Sequence, residues 1–374
     1  MGTLRRVSGA IAVAVAAGAL AAGCGGGSGD PELSIYLSAP LRGPVAADGR
    51  DIADGARLAL ADAGREAGGV AVRLKVLDDA GPGGSEAARA GANARRATED
   101  STAIAYLGEL DSGTTRTSLP ITNEAGLLQV SPAASAVDLT REAPGSDQVP
   151  TEVQPSGTRT FGRVVPADTA QGAAVAGALA DASGIGRVAL AGPESPYGQS
   201  LRDGFQSVSA APAIAAGAAA DAIYDISPRP GAPADRGAAP GVRLYGADAQ
   251  IIAAPPRTEL PPDSTLVSGA LAPSQLPAGD FAERFRSAYG RAPGRFAAYG
   301  YEAMAVALDS IDRADDPLDR GSVVDAFFAT ADRDSTLGTY SIDEAGDTTL
   351  GRVGAYRAQR GGRLEPAPQP LGVP

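Results

Sequence analysis

Apolar positions follow two spacings along the first part of the chain. Apolar runs, or apolar residues at every second position, predict short strands at residues 33–37, 70–76, 103–107 and 127–130. Apolar residues three and four positions apart predict helices between them, at residues 51–67, 86–99 and 114–125. Alternating strands and helices of this kind predict a parallel sheet with helices on both faces.

The same rhythm restarts after a loop rich in Pro, Gly and Ser at residues 143–157. Helices are predicted at 169–183, 198–208, 280–289 and 297–313, and strands at 188–191, 222–226, 244–245 and 265–267. Residues 338–342 and 353–357 are predicted to form a closing hairpin. A chain of 374 residues exceeds what one hydrophobic core usually supports, so we expect two α/β domains.

The N-terminus has the features of a secretory signal. Arg5 and Arg6 precede an apolar stretch at residues 7–20, and small residues then lead to Cys24, the only cysteine in the chain. The Leu-Ala-Ala-Gly-Cys sequence ending at Cys24 resembles the bacterial lipobox, in which that cysteine is acylated. We therefore expect a signal peptide over 1–23, a flexible tether over 24–31 and a lipid anchor on the extracytoplasmic face of the membrane. An ordinary signal peptide with a stray cysteine is the alternative.

The composition argues against several function classes. Acidic residues outnumber basic ones by 44 to 32, which disfavours nucleic acid and anionic lipid surfaces as partners. The chain has no histidine, so the usual catalytic triads and the commonest metal ligand are absent. The adjacent carboxylates Asp78 and Asp79 would face opposite ways on a strand. We expect no enzyme activity, cofactor or metal site.

Several stretches, taken in order, resemble the type I periplasmic-binding fold, specifically the leucine/isoleucine/valine-binding family of ABC transporter receptors. These stretches lie at residues 40–59, 107–132, 163–198, 244–248 and 285–347. No single stretch is diagnostic, but their order and spacing match the family over residues 32–360. One departure is that the chain is shorter than the family pattern by about a βα unit around 209–241.

The resemblance implies an α/β fold with two lobes, each a doubly wound parallel sheet, joined by a three-segment hinge. Lobe 1 would comprise residues 32–157 and 272–333, and lobe 2 residues 158–271 and 334–362. The chain would cross between the lobes near Gly157, Leu271 and Arg333. Residues 363–374 would form a C-terminal tail.

Two serines are candidates for binding an anionic group of the ligand. Ser112 follows the strand at 103–107 and opens the next helix, where free N–H groups and a positive dipole end favour an anion. The resemblance matches Ser112 to the family's carboxylate-binding serine, and Ser135 to a threonine that also touches the ligand. A plain N-cap serine and a turn serine are the alternatives. Leu110 and Ala134 would contribute backbone atoms.

Three further candidates would face the ligand from elsewhere in the cleft. Asp248 matches the acidic residue that takes the ligand ammonium, although it could be a surface loop aspartate. Tyr197 would form an aromatic wall, or else a packed turn. Asp48 stands where relatives often present an aromatic residue, and a carboxylate there suits a polar or cationic ligand group.

The segment from Asp168 to Gln171 has the spacing of a helix capping box, and we assign it mainly to structure.

The resemblance implies a solute-binding protein that captures an amino acid or a related small polar ligand by hinge closure. The closed form would deliver the ligand to an ABC transporter permease, with membrane contact through the lipid anchor only. A monomer is the default expectation. A ligand sensor with the same fold, a scaffold that has lost ligand binding and, least favoured, an enzyme are the alternatives.

Overall fold

The computed structural model describes residues 31–143, 145–209, 213–215, 219–227, 242–252, 260–277, 279–361 and 363–374. The predicted signal peptide and Cys24 lie outside these residues, as does most of the segment at 209–241 predicted to be shortened. No helix among the described residues is both long and apolar enough to cross a bilayer.

The first sheet has six strands in the order β2-β3-β1-β6-β7-β8. All neighbours are parallel except β2, a two-residue strand antiparallel to β3. A small separate hairpin is formed by β4 and β5. The strands are β1 (Glu32–Ala39), β2 (Glu66–Ala67), β3 (Val70–Asp78), β4 (Ala80–Gly81), β5 (Gly84–Ser85), β6 (Ala103–Leu107), β7 (Leu128–Ser131) and β8 (Phe161–Arg163).

The second sheet has the order β10-β9-β11-β12-β13-β14-β15, with β16 also paired to β14. Strands β9 to β13 run parallel, whereas β14 to β16 are antiparallel to their neighbours. The strands are β9 (Val188–Ala191), β10 (Ala213–Ala215), β11 (Ala222–Asp225), β12 (Arg243–Gly246), β13 (Thr265–Ser268), β14 (Arg352–Ala358), β15 (Leu364–Pro366) and β16 (Leu371–Gly372).

Ten α-helices occur among the described residues. They are α1 (Ala46–Asp62), α2 (Ala87–Thr98), α3 (Ser112–Glu124), α4 (Pro150–Val153), α5 (Asp168–Ala180), α6 (Pro196–Val208), α7 (Asp248–Ile252), α8 (Phe281–Tyr289), α9 (Ala297–Arg313) and α10 (Arg320–Phe328). The first sheet packs with α1, α2, α3, α9 and α10, and α8 lies on α1. The second sheet packs with α5 and α7, and α6 lies on α5. The α/β fold with two doubly wound sheets is therefore confirmed.

Glycines allow two helix pairs to approach closely. A side chain at Gly55 of α1 would collide with the Ala297 carbonyl of α9, and one at Gly300 would collide with Ile52. The contact between α1 and α9 draws the starts of these helices, and the polar residues near them, towards one place. In the second lobe, Gly172 of α5 allows the same approach to α6.

The chain passes between the two sheets at three points, and two of them differ from the prediction. β8 still belongs to the first sheet, so the first passage follows Arg163 rather than Gly157. The third follows Leu350 rather than Arg333, because Tyr340 and Ile342 are buried in the core of the first lobe. The second passage follows Ser268.

Other element predictions also need correction. The predicted closing hairpin is wrong, since residues 338–342 form only isolated bridges and β14 pairs with β13, β15 and β16 instead. The residues predicted as a C-terminal tail contribute β15 and β16. The helix predicted over 51–67 runs from Ala46 to Asp62, and α10 is not foreseen by the sequence pattern.

Candidate functional site

A cavity of about 400 Å³ lies where the carboxyl ends of strands from both sheets meet. Ligands of open α/β sheets bind at such edges, where the strand order reverses. In the first sheet the order reverses between β1 and β6, and in the second between β9 and β11. The cavity is lined by Val45, Asp48, Gly83, Gly84, Ser85, Leu110, Asp111, Ser112, Ala133, Ser135, Tyr197, Asp248, Ala249 and Phe296. Six of the seven predicted ligand-binding residues are among them.

Ser112 lies on the first-sheet side of the cavity, at the start of α3. The preceding residue, Asp111, is the N-cap, and its carboxylate accepts a hydrogen bond from the Thr114 amide at 3.1 Å. The Ser112 hydroxyl oxygen accepts a hydrogen bond from the Ala136 amide at 3.1 Å. Since that contact uses a lone pair and not the hydroxyl proton, Ser112 can still donate towards the cavity.

The loop after β7 presents Ser135 but not Ala134. Ala134 is fully buried, its amide donates to the Ser131 hydroxyl at 2.8 Å, and its carbonyl accepts from Arg163. Both backbone groups of Ala134 therefore face inwards, and Ala133 lines the cavity in its place. Ala134, which was predicted to offer backbone atoms to a ligand, is therefore not among the residues that line this cavity.

Arg163 supports the backbone of the loop that carries Ser135. Its guanidinium donates to the carbonyls of Ala134 at 3.3 Å and Ala136 at 2.6 Å, on either side of Ser135. The same group pairs with Asp347 at 2.8 Å. Burial alone would raise the pKa of Asp347, but the charge of Arg163 and the hydrogen bonds from Arg141, Arg163 and Thr140 together outweigh burial and hold this pKa below its usual value. The buried Arg163 thus fixes the backbone that carries Ser135.

The second sheet contributes Tyr197 and Asp248. Tyr197 lies in the first turn of α6, after β9, and its hydroxyl oxygen accepts a hydrogen bond from the Ala249 amide at 3.3 Å. Asp248 is the first residue of α7, after β12. Its carboxylate is 16% exposed and lines the cavity opposite Ser112 and Ser135.

Arg295 joins two predicted site residues and was not identified from the sequence. Its guanidinium lies 3.1 Å from an Asp248 carboxylate oxygen and 3.3 Å from one of Asp48, and it stacks over the ring of Phe296. Asp48 and Arg295 belong to the first lobe, whereas Asp248 belongs to the second. Arg295 therefore links the lobes, and each carboxylate uses one oxygen in this contact.

Asp168 and Gln171 do not form the predicted capping box. Asp168 is the first helical residue of α5, and the N-cap is Ala167, which has no side-chain cap. The Asp168 amide instead donates to the Ser135 carbonyl at 2.9 Å, and its carboxylate accepts a hydrogen bond from the Gln171 side chain at 3.3 Å beside a side cavity of about 310 Å³. Burial raises the pKa of Asp168 to about 6, although Ser135 and then Arg163 act in the opposite direction.

Two further buried acidic residues, Glu109 and Asp79, lie near the cavity. Glu109 is fully buried and accepts a hydrogen bond from the Tyr106 hydroxyl at 2.6 Å. Burial, and then the charge of Asp79, raise the pKa of Glu109 well above its usual value, and burial raises the pKa of Asp79 to about 6. Asp78, in contrast, pairs with Arg42 at the surface. The two adjacent aspartates therefore face apart, as their strand position predicts.

A family model described as "Periplasmic binding protein" matches residues 33–222 of the chain. The Leu/Ile/Val-binding protein BraC3 of Rhizobium johnstonii is 31% identical over 178 residues, which are 47% of this chain and 43% of that relative. The matched region thus spans less than half of the relative's length.

Solved structures share the fold across nearly the whole chain. The branched-chain amino acid transporter substrate-binding protein LivJ of Streptococcus pneumoniae, in complex with isoleucine, superposes with a TM-score of 0.68 at 19% identity, covering 91% of this chain and 99% of that one. A solute-binding protein of an ABC transporter from R. palustris, in complex with benzoate, gives 0.64 at 18% identity, covering 92% and 97%. At these identities the likeness establishes the fold alone.

Proposed function

Because the chain belongs to the periplasmic binding protein family, we propose that it captures an amino acid or a similar small polar ligand and delivers it to an ABC transporter permease. The observation that carries this proposal is one cavity lined by Ser112 and Ser135 from one lobe and by Tyr197 and Asp248 from the other. A ligand that touches both sets is held best when the lobes close, so binding would favour closure.

The donors and acceptors suit a zwitterion. Ser112 and the free amides at the start of α3 can donate to a ligand carboxylate. Asp248 keeps one carboxylate oxygen beyond its contact with Arg295, and this oxygen can accept from a ligand ammonium. The volume of about 400 Å³ lies within the range of small-ligand pockets.

The charge balance favours an amino acid over a simple aromatic acid. Asp48 and Asp248 carry two negative charges, and Arg295 compensates one of them. A monoanion without an ammonium group, such as benzoate, would face this remaining negative charge. Because Arg295 already shares the Asp48 carboxylate, a cationic ligand side chain would have to compete for it.

A lipid anchor at Cys24 would keep the protein beside its permease on the extracytoplasmic face. Support for the anchor comes from the lipobox-like sequence at residues 20–24, and the family supports the extracytoplasmic location.

A thermal-shift panel tests ligand capture. We expect at least one of the standard L-amino acids to raise the melting temperature, because a ligand at about 100 times its Kd adds about 2.7 kcal/mol to the free energy of unfolding. Benzoate should give no shift. Ser112→Ala should lose most of the amino-acid shift while folding normally. If no amino acid shifts the wild type, the scaffold interpretation is favoured instead.

A further inference from the structure

Arg295 is a largely buried cation held between two carboxylates. Its side chain is 10% exposed, and its guanidinium lies 3.1 Å from an oxygen of Asp248 and 3.3 Å from an oxygen of Asp48. The guanidinium also lies over the ring of Phe296, 4.6 Å from the ring centroid. Carboxylates and an aromatic face are the groups with which proteins bind guanidinium and ammonium ions. The chain thus fills a cation site with its own side chain.

This cation site adjoins the main cavity. Among the described residues that line the cavity are Asp48, Asp248 and Phe296, but not Arg295. The groups that hold the guanidinium therefore face the cavity, whereas the guanidinium itself lies behind them. Truncation of the Arg295 side chain would leave a space between two carboxylates and an aromatic ring, beside the bound ligand.

A second cation beside Arg295 is electrostatically unfavourable. Arg295 already engages one oxygen of each carboxylate, so a ligand ammonium at Asp248 leaves only Asp48 of this pair for a further cation. That cation would contact the same carboxylate as the guanidinium, and like charges repel strongly at such distances in a partly buried site. The third carboxylate that lines the cavity, Asp111, caps α3 through the Thr114 amide. The arrangement therefore disfavours ligands with a cationic side chain.

We propose that Arg295 is a specificity-determining residue: it occupies the position of a cationic ligand side chain and so restricts the site to amino acids without one. This inference rests on the proposed function and narrows the class of amino acid that the protein captures. It also changes the role expected for Asp48 from the sequence. The Asp48 carboxylate serves a cationic group, but that group belongs to the chain itself.

A ligand-free experiment tests the cation site by refilling it. At about 50 mM, guanidinium chloride should raise the melting temperature of Arg295→Ala by about 2 °C relative to sodium chloride, because an ion that binds only the folded state stabilises it. The wild type should show no rise, since its site is filled. Arg295→Ala combined with Asp248→Asn should show none either, because one carboxylate of the site is lost.

The absence of a rise in Arg295→Ala would overturn the proposal. A rise of equal size in the wild type would do so as well, because guanidinium would then bind elsewhere. Neither result depends on amino-acid binding, so failure of this inference is distinguishable from failure of the proposed function.

A binding experiment tests the preference. By isothermal titration, the wild type should bind L-arginine and L-lysine at least about tenfold more weakly than the uncharged amino acid that it binds most tightly. In Arg295→Ala this ratio of dissociation constants should fall at least about tenfold, because the space and both carboxylates become available. Arg295→Gln removes the charge but fills part of the space. It should change the ratio less, in the same direction, and it keeps the test decisive if Arg295→Ala does not fold.

Arg291→Ala is the matched control. Arg291 also pairs with two aspartates, Asp51 and Asp54. Its guanidinium likewise lies over an aromatic ring, that of Phe285. These four residues all belong to the first lobe, and none is among the described residues that line the main cavity.

We expect Arg291→Ala to keep the wild-type preference among amino acids. An equal change of preference in Arg291→Ala and Arg295→Ala would assign the effect to the loss of any arginine charge, and would contradict a specific role for Arg295. A wild type that binds L-arginine as tightly as uncharged amino acids would contradict the proposal directly.

Discussion

Replacing Arg163 with methionine is expected to lower the free energy of unfolding by about 3–5 kcal/mol, the usual result of removing one partner of a buried ion pair. The substitution leaves Asp347 with only the exposed Arg141 as a cationic partner, and it leaves the carbonyls of Ala134 and Ala136 without their donor. The loop that carries Ser135 then loses its support, so ligand affinity should fall as well.

The pH dependence of this effect follows from Asp347. Its folded-state pKa is lowered, so the stability that it contributes is present above its unfolded-state pKa of about 3.9 and is lost as the pH falls through the folded-state value. The difference between wild type and Arg163→Met should therefore be largest at neutral pH and shrink in acid. Denaturant unfolding of both proteins at several pH values measures this difference in the free energy of unfolding.

Arg159→Met provides a nearby control. Arg159 also donates to this region, at 2.9 Å to the Thr140 carbonyl, but its side chain is exposed. We expect Arg159→Met to lower the free energy of unfolding by less than about 1 kcal/mol, because exposed contacts usually contribute little. Equal losses for the two arginines would show that Arg163 does not support the site in the way described.

Replacing Asp248 with asparagine is expected to weaken ligand binding about 100-fold. Losing one partner of a buried charge pair at an interface usually costs about 2–5 kcal/mol, and 1.4 kcal/mol corresponds to tenfold in Kd. Asp248 is the only carboxylate of the second lobe among the described residues that line the main cavity. The substitution also removes the ion pair with Arg295 that joins the two lobes.

Asp48→Asn is the matched comparison for Asp248→Asn. Both carboxylates contact Arg295, but Asp48 is 25% exposed and lies on the same lobe as Arg295. For a ligand with a neutral side chain, we expect Asp48→Asn to raise the Kd by less than tenfold. If Asp48→Asn instead shifts the preference away from basic amino acids, the predicted cationic pocket at Asp48 is supported. Isothermal titration with both variants distinguishes these outcomes, and equal small losses would contradict the role of Asp248.

The sequence predicted those features of the fold and the site that follow from a local residue pattern or from the ordered resemblance to a known family. Ser112 and Tyr197 each follow a buried strand, and parallel strands bring their carboxyl ends to one edge. Strand spacing places each residue at the ligand edge of its own sheet, and the resemblance supplied the two-lobed arrangement that brings the two edges to one cavity. The short strands at the chain's end were missed because β15 and β16 have only three and two residues, too few to show a period.

The polar network could not be foreseen because its contacts join distant parts of the chain. Arg295 pairs with Asp48 across 247 positions, and no local spacing records that contact. Asp168 has the spacing of a capping box with Gln171, so the sequence alone indicates a local, structural role for it. Asp is as common a helix cap as Ser, so nothing in the local sequence marks Asp168 as a buried side chain at the cavity.

Small-angle X-ray scattering of the protein with and without its amino-acid ligand tests the central claim most directly. If the cavity between the two lobes is the binding site, saturating ligand should reduce the radius of gyration, and Asp248→Asn should require much more ligand for the same change. A bound amino acid that leaves the radius of gyration unchanged would contradict closure of the two lobes around the ligand.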